Sequence, residues 1–143
     1  MNRYGIMTVN NQATTQAGVT STPSKLLNLG ASGTYYGVTL DAPNNQLIVK
    51  VPGLYHIFAQ VSFQKDSADA QDNFHIFLYR NGVSTGYGAA RNLKVSMTDL
   101  GSVSINAILE LNVNDVLELY MHTDDVGPAT VVVVDAQFGL MNL

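Results

Sequence analysis

Three histidines, His56, His75 and His122, are the side chains of this sequence best suited to catalysis or metal binding. Each stands in a run of aromatic and aliphatic residues, a composition typical of β-strands. No two of them have the His-x-His or His-x-x-x-His spacing that places two ligands side by side on one element. Two histidines on strands in register could approach one metal ion, but we interpret His75 and His122 as half-exposed strand residues.

Carboxylates concentrate in two polar segments, where their oxygens could hold a hard cation. The segment 65–73, KDSADAQDN, contains the weak calcium candidates Asp66, Asp69 and Asp72, and a second pair stands at 124–125. Calcium prefers several carboxylate and carbonyl oxygens, but these aspartates lack the alternating positions and the glycine of an EF-hand loop. We therefore interpret both segments as solvated acidic loops, and we expect no cofactor.

The sequence offers little for catalysis. It contains no cysteine, which excludes a disulfide framework, a thiol nucleophile and any zinc site built with cysteine. No serine lies in a Gly-x-Ser-x-Gly elbow, and no glycine-rich phosphate loop precedes a helix. The net charge of -4 and the absence of a basic run argue against nucleic-acid binding. We expect a protein that is not an enzyme and does not bind nucleic acid.

The elements that must position these side chains are short strands separated by turn signals, which predict an all-β sandwich or barrel. The clearest strands are 46–51, 54–64, 74–80, 101–112, 116–123 and 130–143. Some of them, such as VVVV at 131–134, are apolar on both faces, so a second copy of the chain is expected to cover the outer face. Residues 1–24 are expected to form an N-terminal strand and a polar arm, and residues 25–143 the folded domain.

A candidate partner-binding loop follows the strand at 74–80. Asn81-Gly82 is a hairpin turn signal, and the next residues are rich in glycine. This part of the chain also contains Arg80, Tyr87 and Arg91, and arginine and tyrosine are common in binding surfaces. The alternative is an ordinary long loop.

Four segments resemble a known superfamily. NNQLIVKVPGLYHIFAQVSF, residues 44–63, is similar to the strand, Pro-Gly, strand signature of the complement-one-q globular heads and the tumour necrosis factor ligands. FHIFLYRNG, AILELNVNDVLEL and AQFGLMNL resemble later strands of that superfamily in the same order, with Asn114 where glycine is usual. The resemblance covers residues 44–143, and residues 1–43 match only loosely.

The resemblance implies a ten-stranded antiparallel jelly roll that assembles as a compact homotrimer. By position, the core of the sandwich would contain Tyr55, Ile57, Ala59 and Val61. The trimer interface would contain His56, Phe58, Gln60, Ser104, Asn106 and Gln137. The alternation of strand residues supports this division, because residues i and i+2 share a face. Three copies of His56 would then converge, either to bind an anion, a water molecule or a metal ion or to hydrogen-bond within the interface.

Two functions fit this reading. The first is a trimeric virion structural protein of a phage, either a capsid decoration subunit or a fibre and receptor-binding tip, which would contact other virion proteins or a cell-surface receptor or glycan. The alternative is a secreted recognition head located outside the cell. A sugar-active enzyme on the same fold is disfavoured. No signal peptide and no membrane span are expected, because no apolar run is long enough.

Overall fold

The computed structural model describes residues 2–10, 12–30, 33–65, 72–93, 99–124 and 128–143, with the backbone alone at residue 72. Within these ranges the chain forms twelve strands, one short 3-10 helix at Ala42–Asn44 and no α-helix. The strands are β1 (Tyr4–Val9), β2 (Thr15–Val19), β3 (Ser24–Lys25), β4 (Tyr35–Tyr36), β5 (Val38–Asp41), β6 (Gln46–Val49), β7 (Gly53–Lys65), β8 (Asp72–Arg80), β9 (Val83–Leu93), β10 (Leu100–Leu111), β11 (Val116–Thr123) and β12 (Ala129–Asn142).

Two antiparallel sheets face each other as a sandwich. Sheet I has the strand order β10-β7-β12-β1-β4, and β2 pairs with the first residues of β12. Sheet II has the order β5-β6-β11-β8-β9, and β3 pairs with β11. Apart from β3 and β4, which have two residues each, ten strands have four residues or more. The prediction of an all-β, ten-stranded jelly roll is confirmed.

Alternate residues of the long strands fill the space between the sheets. The four core residues predicted on β7 are all at most 4% exposed: Tyr55, Ile57, Ala59 and Val61. From sheet II, Phe74, Ile76 and Leu78 are completely buried. The Phe74 ring meets the Phe63 ring edge-on, with centroids 5.6 Å apart. Each large apolar side chain buried in this way stabilises the fold by about 1.5–3 kcal/mol.

The Pro-Gly step of the sequence is the passage between the two sheets. β6 ends at Val49 in sheet II, and β7 begins at Gly53 in sheet I. Pro52 lies between the strands, where its missing N–H removes no hydrogen bond from a ladder. The Tyr55 hydroxyl donates to the carbonyl of Val51 at 2.6 Å, which ties the passage to the core.

The predicted hairpin turn at Asn81-Gly82 is present, but the segment after it is a strand. Asn81 and Gly82 have φ angles of 51° and 79°, as a two-residue type I′ turn requires. Residues 83–93 form β9 along β8, so the expectation of a long glycine-rich loop is wrong. Phe77 pairs with Gly88, where a Cβ atom would lie 2.5 Å from its ring. The small residues of β9 leave room for rings of β8, which explains the glycines and alanines in this strand.

Part of the polar segment 10–24 also belongs to the sandwich, which corrects the expectation of an arm there. β2 pairs with β12, and Val19 is completely buried. The buried Gln16 side chain donates to the carbonyl of Lys25 at 2.9 Å and accepts from the amide of Leu27 at 2.8 Å. The sequence alone does not distinguish a buried polar side chain that hydrogen-bonds backbone groups in this way from an exposed one. The calcium candidates Asp66 and Asp69, and the side chain of Asp72, lie outside the described residues.

Candidate recognition surfaces

The outer face of sheet I brings together all the residues predicted at the trimer interface. They come from three adjacent strands: His56, Phe58 and Gln60 on β7, Ser104 and Asn106 on β10, and Gln137 on β12. Gln60 pairs with Ser104 on one side and with Gln137 on the other. Because the opposite face of these strands forms the core, the side chains point away from the sandwich.

One half of this outer face is apolar. A single row crosses five strands through successive cross-strand pairs, in the order Ile108, His56, Met141, Tyr4 and Tyr36. The four residues of this row other than His56 are between 41% and 57% exposed. Leu54 and Leu143 are also exposed and are joined by a backbone hydrogen bond at 2.8 Å. Contiguous exposed apolar side chains of this kind are typical of surfaces that contact other molecules.

In the middle of the same face, a glycine makes room for the ring of Phe58. Phe58 pairs with Asn106 on β10 and with Gly139 on β12. A Cβ atom at Gly139 would lie 2.8 Å from Cζ of Phe58, so the glycine allows the ring to lie across β12. The His56 ring lies 5.9 Å from the Phe58 ring, and its Nε2 is hydrogen-bonded to Oδ1 of Asn106 at 3.1 Å. His56 therefore lies where the apolar row meets the polar amides.

The other half of the face is polar. Ser62 and Ser102 share a hydrogen bond of 2.7 Å between their hydroxyls. An open groove next to them is lined by Thr8, Gln60, Asp135 and Gln137 among other residues. Since amides and hydroxyls can both donate and accept, this half can form hydrogen bonds across an interface.

Arg80, Tyr87 and Arg91, the residues predicted to bind a partner, are not brought together. Arg80 and Arg91 lie at opposite ends of the β8–β9 hairpin, since Arg80 pairs with Val83 and Arg91 with Phe74. The Arg91 side chain lies over Gly101 of β10, where a Cβ atom would be 2.6 Å from its Cγ. Tyr87 is 42% exposed on β9. Their role in binding stays a prediction.

Arg80 takes part in a structural cluster around a buried carboxylate. Its guanidinium lies 3.1 Å from Asp115, which also accepts from the backbone amide of Asn112 at 2.8 Å and from the side chain of Asn81 at 2.9 Å. Burial alone would raise the pKa of Asp115, but these hydrogen bonds and the charge of Arg80 outweigh it and hold the pKa below its ordinary value.

A cluster that the spacing rules missed lies on the outer face of sheet II. His75 and His122 pair directly across β8 and β11, and their rings stack at 4.6 Å with an angle of 4°. Asp124 follows β11, and its Oδ1 lies 2.8 Å from Nε2 of His75. The sequence signal was the alternation of His122 and Asp124, which places both on one face of a strand. The register that brings His75 to them is not visible in the sequence.

The environment shifts the protonation of this cluster. Partial burial is the main reason that the pKa of His122 lies below its ordinary value, and the neighbouring His75 lowers it further against the opposing effect of Asp124. The hydrogen bond from Asn73 is the main reason that the pKa of Asp124 is also lowered. At neutral pH these directions favour a neutral His122 beside a charged carboxylate.

The comparisons with known proteins agree with the architecture. The family model of the TNF (Tumour Necrosis Factor) family matches residues 30–142. No curated protein matches the chain significantly. Among the residues that the structure describes, no helix combines the length and the hydrophobicity that crossing a bilayer requires.

Proposed function

The chain belongs to the tumour necrosis factor family, and on this premise we propose that three copies assemble through the outer face of sheet I into a compact recognition head. The family assignment supports a recognition module that is not an enzyme. Proteins of this family form trimers and bind receptors. The assembly and the partner of this chain are the proposal.

The observation that supports the trimer is the apolar row across sheet I. Ile108, Met141 and Tyr4 each leave more than 40% of their surface in water in the single chain. Covering such side chains gains about 25 cal/mol for each Å² of apolar surface removed from water. The row crosses the five strands from β10 to β4 without interruption by a charged residue, so a wide part of the face can contact neighbouring copies.

The remaining interface residues supply specificity. Gln60, Ser104 and Gln137 form the polar row, and their side chains can hydrogen-bond across a subunit boundary. His56 lies within the apolar row and is hydrogen-bonded to Asn106, so it fits an interface histidine that already has a partner. A buried polar group without a partner would weaken the assembly, which makes this pairing favourable.

In such a trimer the outer face of sheet II stays available to a partner. Its half-buried rings form stacked pairs, with Tyr79 and Tyr120 only 3.9 Å apart. Tyr87 on the adjacent β9 is exposed, and aromatic residues are common at the centre of binding surfaces. We place the contact with a receptor, a glycan or another structural protein on this side of the molecule.

The setting we favour is a phage virion, as a decoration subunit or a fibre tip, with a secreted recognition head as the alternative. Charged residues make up only 13% of the chain, and it has no cysteine, which suits a surface built for close packing against other proteins. Since β2 lies in sheet I, this proposal rests on composition rather than on an arm. Incubation with virions or empty shells, followed by electron cryo-microscopy, tests it, because a virion protein adds density and a secreted head leaves the shells bare.

Ile108→Lys tests the trimer. We expect the wild-type chain to elute in size-exclusion chromatography with light scattering at three times its mass of 15.4 kDa. The variant should elute as a monomer, because burying an unpaired lysine in an apolar contact costs several kcal/mol. Ile108 is 57% exposed in the single chain, so the fold itself should tolerate the change.

Val83→Lys is the matched control, since Val83 is 69% exposed at the start of β9 in sheet II. It should remain trimeric, and far-ultraviolet circular dichroism should be the same for both variants. A wild-type chain that is monomeric at micromolar concentration, or an Ile108→Lys variant that stays trimeric, would contradict the proposal.

A further inference from the structure

Four outward-facing side chains form a square on sheet II, where β8 begins and β11 ends. His75 pairs with His122 in the strand register. Asp124 continues the pairing beyond β11, because its amide donates to the carbonyl of Asn73 at 3.2 Å. His75 and Asn73 therefore share one face of β8, and His122 and Asp124 share the matching face of β11. The square contains two imidazoles, one carboxylate and one amide.

We propose that His75, His122 and Asp124 form a binding site for a divalent transition metal ion, zinc being the ion to which we commit. One donor atom from each of the three residues can be chosen so that all lie within 4.8 Å of one another. Two imidazole nitrogens and one carboxylate oxygen are a donor set that zinc accepts, and three protein ligands leave a fourth position open. Calcium is disfavoured, because it takes oxygen ligands and needs at least six of them.

The site needs only small movements to receive the ion. Zinc bonds of 2.0–2.1 Å place tetrahedral ligand atoms about 3.3 Å apart. Nε2 of His75 and Oδ1 of Asp124 are already 2.8 Å apart. To bind zinc through Nε2, the His75 ring must be neutral with its one hydrogen on Nδ1, so that the Nε2 lone pair faces the ion in place of the contact with Asp124. All three ligand side chains reach solvent, so rotation about their own torsions can complete the geometry.

The surroundings hold the carboxylate in position. Asn73 donates to Oδ2 of Asp124 at 3.0 Å, which leaves Oδ1 for the ion. Asn92 donates in turn to Oδ1 of Asn73 at 2.9 Å, so the orientation of the Asn73 amide is fixed. The Phe77 ring packs against His122 with centroids 5.9 Å apart. Partners behind metal ligands commonly contribute to affinity by fixing the ligands in this way.

Titration calorimetry with zinc chloride on the full chain, after removal of metals with a chelator, tests the proposal. We expect one zinc ion per chain and a higher melting temperature with zinc, because an ion that binds only the folded chain stabilises it. His122→Ala and Asp124→Asn should weaken binding by about 100-fold or more, and Asn73→Ala by roughly 10- to 100-fold. Cobalt in place of zinc should give the visible absorption of a four-coordinate site.

Asp41→Asn is the matched control for Asp124→Asn, because Asp41 ends β5, outside the cluster and outside the proposed interface, and the variant should bind zinc like the wild-type chain. Circular dichroism should show that every variant is folded. The proposal is overturned if the wild-type chain does not bind zinc below about 1 mM. It is equally overturned if His122→Ala and Asp124→Asn bind zinc unchanged, if Asp41→Asn loses binding as they do, or if calcium competes for the site.

Discussion

Asp115 is a buried carboxylate in a turn, and several donors surround it. Its carboxylate is only 6% exposed, yet it accepts from Asn112, Asn81 and Arg80. A carboxylate with this many donors remains charged in the folded chain, because each donor stabilises the anion more than the acid. The lowered pKa of Asp115 therefore links protonation to stability.

Asp115→Asn should lower the free energy of unfolding by about 2 kcal/mol at neutral pH, since hydrogen bonds to a charged group are lost. Because the pKa is lowered in the folded state, the contribution of the carboxylate is present above its unfolded value of about 4 and is lost as the pH falls through the folded value. Urea unfolding from about pH 7 to pH 3 should show the difference between variant and wild type closing in acid. A difference that is the same at every pH would contradict this role.

At this scale the sequence predicts well which face of a strand a residue lies on, and poorly which residues of different strands contact each other. Strand alternation places Ile57 in the core and His56 on the outer face without knowledge of the partner strands, and the structure agrees. The meeting of His75 with Asp124 depends on the register between β8 and β11, and two whole strands separate them in the chain. Register follows from the packing of the complete sandwich, so no local spacing rule can reveal this cluster.

At the scale of elements, two hairpin turns are fastened to each other. The β8–β9 turn contains Asn81, and the β10–β11 turn contains Asp115. The Asn81 side chain donates to Asp115 at 2.9 Å and accepts from the amide of Val116 at 2.9 Å. Asn114 has a φ of 69° in the second turn, which explains how asparagine stands where the family usually has glycine.

Asn81→Gly tests the side-chain hydrogen bonds that join the two turns without changing the backbone of the β8–β9 turn. Glycine accepts the positive φ of a type I′ turn, so the change removes the two side-chain hydrogen bonds and keeps the backbone shape. We expect a loss of about 1–2 kcal/mol in the free energy of unfolding. Combined with Asp115→Ala, the two losses should fall short of their sum by about 1 kcal/mol, because both remove the same contact. Strict additivity in denaturant unfolding would show that the turns are not coupled.

The strands differ in how readily they can be predicted from their own residues. β7 is rich in aromatic and β-branched residues and is recognisable alone. β9 contains glycine and alanine opposite the rings of β8. It is therefore a strand because it pairs with β8, and its own composition does not indicate one. β2 is polar because Gln16 replaces a backbone partner for Lys25 and Leu27. The sequence predicts a loop and an arm at these two segments for the same reason: the contacts that stabilise them as strands are tertiary.

At the scale of the whole molecule, the sandwich separates two surfaces of different chemistry. The outer face of sheet I offers an apolar row and a row of amides, whereas the outer face of sheet II offers stacked rings and the His75, His122 and Asp124 cluster. The buried core lies between them. Because distant sites without shared partners usually act independently, assembly and metal binding should be separable properties.

Ile108→Lys and His122→Ala, studied together, test this separation. We expect Ile108→Lys to lose the trimer and still bind one zinc ion per chain with the affinity of the wild type. His122→Ala should stay trimeric in light scattering and lose zinc. The double variant should show both losses and no others. If zinc binding disappears in the Ile108→Lys monomer, a neighbouring copy must contribute to the site, and the three ligands of one chain would not be sufficient for it.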